Sequence, residues 1–306
     1  MARFAPLLLL FACLLAACVS PAKRSTSLAD PTATLQEVAP GSTPGAIVFV
    51  HGWAEGPEYW DRLIEALSAG EPLPALWVLR LPGHDGSPAL PDPSTPADVG
   101  RWLLGQLEAR GLREVALVGH GYGAAIGIEA AGQDTAARIT RVVAMHALYN
   151  VAQPFDPAAA GAMVAGLKQD ARGNLVRFAH SVLPDARQAQ LADWVGERMG
   201  RQSGAGLAPA MRGLAGWDLR PALHRVQVPV RIINGTFRPT LLQVAQEHLK
   251  DVAVETCGWM QGLGYAPMLH DPEACAAALR RACSRLGAGV QWPRAAPRSI
   301  MPRCAP

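Results

Sequence analysis

Charge is scarce in this sequence, and lysine scarcer still. Only 17% of the 306 residues are charged, Lys+Arg 28 against Asp+Glu 25, and Lys23, Lys168 and Lys250 are the only lysines. No basic stripe could track a phosphate backbone, so nucleic acid is excluded as an expected partner. The excess of arginine over lysine reads as compositional bias, in line with the abundant Ala, Gly and Pro. Two local absences carry more weight: no Ser or Cys lies between Ser94 and Ser181, and no carboxylate between Val228 and Gln246. What is plentiful is apolar mass, 50% of the chain. That is enough for a sizeable core in one large or two ordinary domains, and it excludes whole-chain disorder and collagen-like repeats.

The first residues have the layout of a secretory signal, with one charge at Arg3, an apolar run from Leu7 to Leu15, then small residues. That run is too short to remain as a bilayer-spanning helix. The sequence Leu15-Ala16-Ala17-Cys18 resembles a bacterial lipoprotein lipobox. The resemblance implies a signal peptide over residues 1–17, cleavage before Cys18 and lipid attached to that cysteine. Cys13 fits less well, because Phe11 is too bulky for the second lipobox position. Acyl chains would hold the protein to a membrane at about 0.8 kcal/mol per buried methylene. Val19 stands where an inner-membrane retention Asp would, so the expected location is the cell envelope, at the outer membrane facing the periplasm.

Residues 18–45 are rich in Ser, Thr, Pro and Ala and read as a lipidated tether, and residues 287–306 as a flexible Pro/Arg-rich tail. In an oxidising compartment Cys257, Cys275, Cys283 and Cys304 could pair in three ways. If Cys275 and Cys283 share one helix, they stand about 12 Å apart and cannot bridge.

Between these ends, short branched apolar runs at Ala46–Val50, Ala75–Leu79, Glu114–Val118, Arg141–Met145, Val228–Ile233 and Val252–Glu255 read as strands buried on both faces. Helical patterns at Pro57–Ala69, Thr95–Arg110, Tyr122–Ala131 and Leu241–Leu249 separate most of them. The alternation predicts an α/β fold, a mostly parallel sheet flanked by helices, with core segments 46–148 and 221–286. Residues 149–220, helical in pattern and without a convincing strand, read as a helical cap insertion.

Three strand ends and one late segment carry a resemblance. They are His51-Gly52-Trp53, Leu81-Pro82-Gly83-His84-Asp85-Gly86-Ser87, Gly119-His120-Gly121-Tyr122-Gly123, and Gly264-Tyr265-Ala266-Pro267 through Glu273. In this order and spacing the chain resembles the α/β-hydrolase fold family: its oxyanion loop, its Pro-Gly-His-Gly-Ser loop, its nucleophile elbow and its C-terminal histidine segment. The family normally has two further strands before the first one recognised here.

The resemblance also exposes a degenerate triad. Family chemistry needs a nucleophile on the elbow, a histidine to take its proton and a carboxylate to orient that histidine. Here the corresponding positions are Gly121, Tyr265 and Arg238. Three simultaneous losses point away from a functional serine hydrolase, and no cofactor is implied. Gly121 has its own logic, since the elbow demands a backbone angle that glycine adopts without strain. Asp156 and His270 are conceivable relocated acid and base, with no nucleophile to activate.

His51, His84, His120 and His146 could approach one sheet edge. The first three are common at these positions in metal-free members, so no metal is expected. Tyr265 reads first as an aromatic filling the space of the lost histidine, and secondarily as a hydrogen-bond donor.

What the resemblance leaves is a binding site: the amides of Trp53 and Tyr122, flanked by His51, His120 and His146, able to hold a carbonyl or carboxylate oxygen. Phe155, Met163, Leu167, Phe178, Leu183, Trp194 and Trp217 of the insertion could line an apolar pocket, although helices docking on a sheet would show the same residues. The expectation is a lipid-anchored pseudoenzyme that binds a small acyl or carboxylate ligand or an unknown protein partner. The alternative is a divergent esterase-like or lyase enzyme with a non-standard site.

Overall fold

The structure, a computed structural model, describes residues 34–146, 154–185, 188–235, 254–260 and 264–283, the side chains of 234–235 and 254–260 excepted. The signal peptide with Cys18, the pattern at Leu241–Leu249, Arg238, the Cys257 side chain, Cys304 and the tail lie outside the described residues. Among the described residues, no helix is long and apolar enough to cross a membrane.

Seven strands form one sheet: β1 (Leu35–Ala39), β2 (Ala46–Val50), β3 (Ala75–Leu79), β4 (Val115–His120), β5 (Ile139–Met145), β6 (Val230–Gly235) and β7 (Val254–Met260), in the order β1-β3-β2-β4-β5-β6-β7. β1 runs antiparallel to β3 and every other pairing is parallel. Every residue of β2 and of β4 is buried. That is the expected fate of branched apolar runs covered by helices on both faces. β1 falls inside the segment assigned to the tether, so the ordered sheet begins earlier than the sequence reading placed it. Its sequence Leu-Gln-Glu-Val-Ala alternates weakly because it is an edge strand with one side half-buried.

The core helices are α1 (Asp61–Ser68), preceded by a 3-10 turn at Pro57–Trp60, α2 (Pro96–Ala109), α3 (Tyr122–Gln133), α7 (Arg220–Arg225), α8 (Pro267–His270) and α9 (Pro272–Cys283). The first of the expected helices therefore divides into two. α2 begins in a capping box: Thr95 accepts from the Asp98 amide, the Asp98 carboxylate accepts from Thr95, and Pro96 takes the first turn. Phe49 and Trp60, both fully buried, pack with ring centroids 5.1 Å apart beneath α1. The buried Arg141 of β5 donates to the carbonyls of Ala282 (2.9 Å) and Cys283 (3.3 Å), joined by Arg231 of β6 at Ala282. Two cations thus meet the negative end of α9. Cys275 and Cys283 share that helix and are buried free thiols.

The insertion supplies α4 (Pro157–Val182), α5 (Ala189–Met199) and α6 (Gly204–Leu214), with α4 broken at Asp170 (φ −155°, ψ 84°). Asp156 caps α4 through the Ala158 amide, a structural use of a residue considered as a relocated acid. This cap is fastened to the core along several lines. The Trp53 indole donates to the Leu207 carbonyl at 3.4 Å, Asp85 and Gln202 exchange two hydrogen bonds, and Arg212 pairs with Asp92. The buried Glu129 of α3 accepts from Trp217 Nε1 at 3.0 Å and from Arg225 at 2.8 Å. At Gly83 and Gly206 backbone lies on backbone: a methyl group on Gly206 would stand 2.4 Å from the Gly83 oxygen. Of the apolar cap residues, Leu167 and Leu183 are buried, Phe178 meets Trp53 edge-on at 6.0 Å, and Trp194 meets Tyr59 at 5.3 Å. Phe155, Met163 and Trp217 are partly buried against the core.

Candidate functional site

Strand register assembles the site. Val50 pairs with Gly119, His120 with Met145, and Met145 with Ile233, so β2, β4 and β5 end within a residue of one another and β6 runs two residues further. His51, His120 and His146 therefore emerge side by side where open α/β sheets place their ligands.

Gly121 sits between β4 and α3 at φ 51°, ψ −112°, with its amide donating to Met145 O at 2.9 Å. This is the tight strand-to-helix turn that the elbow motif demands, held by a residue that pays no steric cost for it. A methyl group there would meet one described atom, the Tyr265 hydroxyl, at 3.9 Å. The turn is formed and the space beside it is open, and Gly121 itself carries no side chain.

The histidines divide into two kinds. His51 and His84 are fully buried and tie the loops after β2 and β3 to each other. His51 Nδ1–H donates to Gly52 O (2.9 Å) and Nε2 accepts from the Leu81 amide (3.1 Å). His84 Nδ1–H donates to Pro82 O (3.0 Å) and Nε2 accepts from the Ala54 amide (3.1 Å). Each ring reaches across to the other's loop, and accepting an amide proton requires a neutral imidazole. Burial lowers His51 to about 4 and His84 to about 3, outweighing the carbonyls that favour the charged form. Among the described residues no group of three or more His, Cys, Asp or Glu side chains could hold a metal.

His120 belongs to a different network, built on Glu55, a residue the sequence reading did not single out. Glu55 is fully buried. Its carboxylate accepts from the Gly52 amide (2.6 Å) and the Tyr265 hydroxyl (2.9 Å), and from His120 Nδ1 at 2.9 Å and 3.0 Å to its two oxygens. The other face of His120 closes the circuit, with Nε2 donating to the Tyr265 carbonyl at 2.7 Å. Both nitrogens face acceptors, which describes an imidazolium beside a carboxylate. Burial alone would push Glu55 up, but the His120 charge, its hydrogen bond and the Gly52 amide leave it below the usual range. Burial opposes charge on His120 as well, and Glu55 with the Tyr265 carbonyl raises it nonetheless.

Tyr265 follows β7 and is held at both ends, its carbonyl by His120 and its hydroxyl by Glu55. Its ring is 8% exposed and its hydroxyl donates to the Glu55 carboxylate. His146, at φ 49° and half-buried, stacks on His120 (6.2 Å) and meets Tyr265 edge-on (5.2 Å). His270, the other relocated candidate, lies on α8 with Nδ1 2.6 Å from Gln188.

Trp53 and Tyr122 flank the elbow from the oxyanion loop and the first turn of α3, and both side chains are buried. Among the described residues their amides donate to no loop or turn carbonyl. No local signal marks Glu55 in the sequence, where Glu58 and Asp61 follow it within six residues.

Residues 47–278 match the model of a family described as the alpha/beta hydrolase family. The chain belongs to that family. It is 28% identical over 259 residues to a pimeloyl-[acyl-carrier protein] methyl ester esterase of Aromatoleum aromaticum, covering 75% of this chain and 94% of that protein. Among solved structures it is similar to a thermophilic esterase from Thermogutta terrifontis, with TM-score 0.68, 18% identity, and coverage of 82% of this chain and 93% of that one. It is also similar to the enol-lactonase from Burkholderia xenovorans LB400, with TM-score 0.64, 18% identity, and coverage of 80% and 94%. At these identities the solved structures speak to the fold, which is that of an α/β-hydrolase.

Proposed function

We propose that this chain is a non-hydrolytic member of the α/β-hydrolase family. In this reading it is a pseudoenzyme anchored through lipidated Cys18 in the cell envelope, at the outer membrane facing the periplasm. Its elbow site binds a small acyl or carboxylate ligand, or a protein partner. The observation that carries the reading is Gly121: an elbow kept in shape with no side chain to attack a carbonyl. The neighbouring network offers no substitute. A carboxylate with three donors and a proton affinity below normal is a poor base, and a phenol already donating to that carboxylate has its proton engaged. The amides of Trp53 and Tyr122 remain a pair of donors suited to a carbonyl oxygen.

One observation favours a second reading, a divergent enzyme. Three titratable groups, Glu55, His120 and Tyr265, converge beside the elbow in one closed circuit.

The decisive experiment incubates the full chain, purified in detergent, with p-nitrophenyl acetate and butyrate. The proposal expects no turnover above a heat-inactivated control, together with thermal stabilisation by members of a small acyl-compound panel. Saturable turnover lost on blocking the elbow supports the divergent enzyme instead. For the anchor, Cys18→Ala is expected to release the protein from membranes or stall its maturation, and unchanged membrane association refutes lipidation.

A further inference from the structure

Away from the elbow, the insertion meets the core across a joint that holds two carboxylates side by side. We infer that Glu58 and Asp85 form a proton-sharing pair through which mild acid tightens the insertion onto the core.

Geometry is the first part of the argument. Glu58 lies in the 3-10 turn after β2, and Asp85 in the loop after β3 at φ 47°. Glu58 Oε2 and Asp85 Oδ2 both occupy the space where a Cβ on Gly56 would stand. The two carboxylates are therefore at most about 5 Å apart, a separation at which like charges raise each other's proton affinity. Gly56 is extended (φ −138°, ψ 172°), a conformation any residue adopts, so its missing side chain makes room for the pair. From the insertion, the buried Gln202 accepts from the Asp85 amide (2.8 Å) and donates to Asp85 Oδ1 (2.6 Å). Arg198 of α5 stacks 3.5 Å above the Trp194 ring, with its Nε 3.9 Å from Glu58 Oε1, too far for a hydrogen bond.

Charge is the second part. Glu58 and Asp85 face the single cation of Arg198, with the Glu58 side chain 22% exposed. The other charges nearby are already committed: Glu55 to His120, Glu197 to Arg201, and Asp92, held below the usual carboxylate range by Arg212. His84, beside Asp85, is neutral, and the buried Tyr59 hydroxyl is held in its protonated form by burial and these carboxylates. A proton taken up by Glu58 gives an O–H that can donate to Asp85 Oδ2, leaves one anion for Arg198, and relieves the repulsion that loads the Asp85–Gln202 bonds. Burial first, then the Asp85 charge, push the Glu58 carboxyl above its ordinary range against the pull of Arg198. The contribution is thus fully present below the ordinary carboxylate value and is lost as pH rises through the folded one.

The test is hydrogen exchange read by mass spectrometry on the full chain in detergent at pH 7.0 and 5.0, each rate divided by the intrinsic amide rate at that pH. The reporters are peptides spanning 82–87, which contain the Asp85 amide bound to Gln202, and 197–207 of the insertion. Glu58→Gln keeps the shape and removes one anion. At pH 7.0 the variant is expected to be protected about threefold or more above the unaltered protein, and at pH 5.0 the two should agree within about 1.5-fold. His51 and His84 act in the opposite direction across this range, equally in both proteins, so the comparison removes them. Equal protection at pH 7.0 overturns the inference, and so does a gap that fails to narrow at pH 5.0. If Glu58→Gln does not fold, Asp85→Asn, which keeps an acceptor for Gln202 and tolerates positive φ, is judged by the same two criteria.

Discussion

Lowering the pH from 6.5 to 5.0 tests the two-histidine tie between the loops after β2 and β3. His51 and His84 are each neutral in the folded chain, at about 4 and about 3, against an ordinary value near 6.5. In this window the unfolded chain binds a proton at each site that the folded chain refuses. Stability therefore falls as pH falls, and the loss is complete only below the folded values. Integrating the difference from pH 6.5 to 5.0 gives roughly 1–2 kcal/mol per histidine, on the order of 3 kcal/mol for the pair.

His120 has the opposite sign. Its folded value is raised, so its contribution is fully present below the ordinary histidine value and is lost only as pH rises through the folded one. It recovers only a few tenths of a kcal/mol between pH 6.5 and 5.0. Glu55 is depressed, so its contribution is present above the ordinary carboxylate value and disappears only at lower pH. The assay is urea denaturation at both pH values for the unaltered chain and for His84→Gln, which keeps an acceptor for the Ala54 amide. The unaltered chain should lose roughly 3 kcal/mol and the variant about half of that. Equal stability at the two pH values, or an undiminished loss in the variant, refutes the neutral reciprocal tie.

Gly121→Ser should cost roughly 1–2 kcal/mol, seen as a lower melting temperature, because a non-glycine residue is forced to positive φ. It should gain no ester turnover, and a burst of p-nitrophenol from this variant would show that the Tyr265 and Glu55 pair can act as a base after all. Thr95→Ala removes the capping box of α2 and should destabilise by about 1 kcal/mol in the same denaturation assay, with no change in ligand binding. Glu129→Ala should cost more, about 1–3 kcal/mol, since it strands the Trp217 indole donor at the junction of core and cap; a change below a few tenths would refute that junction's role.

The central strands were readable because their residues leave no choice: runs such as Ala-Ile-Val-Phe-Val are apolar on both faces and can be covered only from both sides. The elbow was readable because its glycines are spaced by backbone need. β1 was not, because a five-residue edge strand with Gln36 and Glu37 in its middle looks like any polar linker until β3 is beside it. Glu55 escaped for a related reason. A single carboxylate in sequence carries no sign of burial, and its partners His120 and Tyr265 are 65 and 210 residues away. The hydroxyl bond of Tyr265 was equally hidden, because it required knowing which carboxylate lay behind the ring.

The seam at Gly83 and Gly206 sets the mechanics of the joint between the insertion and the loop after β3. With main chain pressed on main chain, neither surface has a side chain that could rotate to follow a moving partner, so the joint has no cushion. A single added methyl would act there as a wedge, prying the insertion off its bearing on the loop after β3 while leaving the Glu55, His120 and Tyr265 circuit untouched.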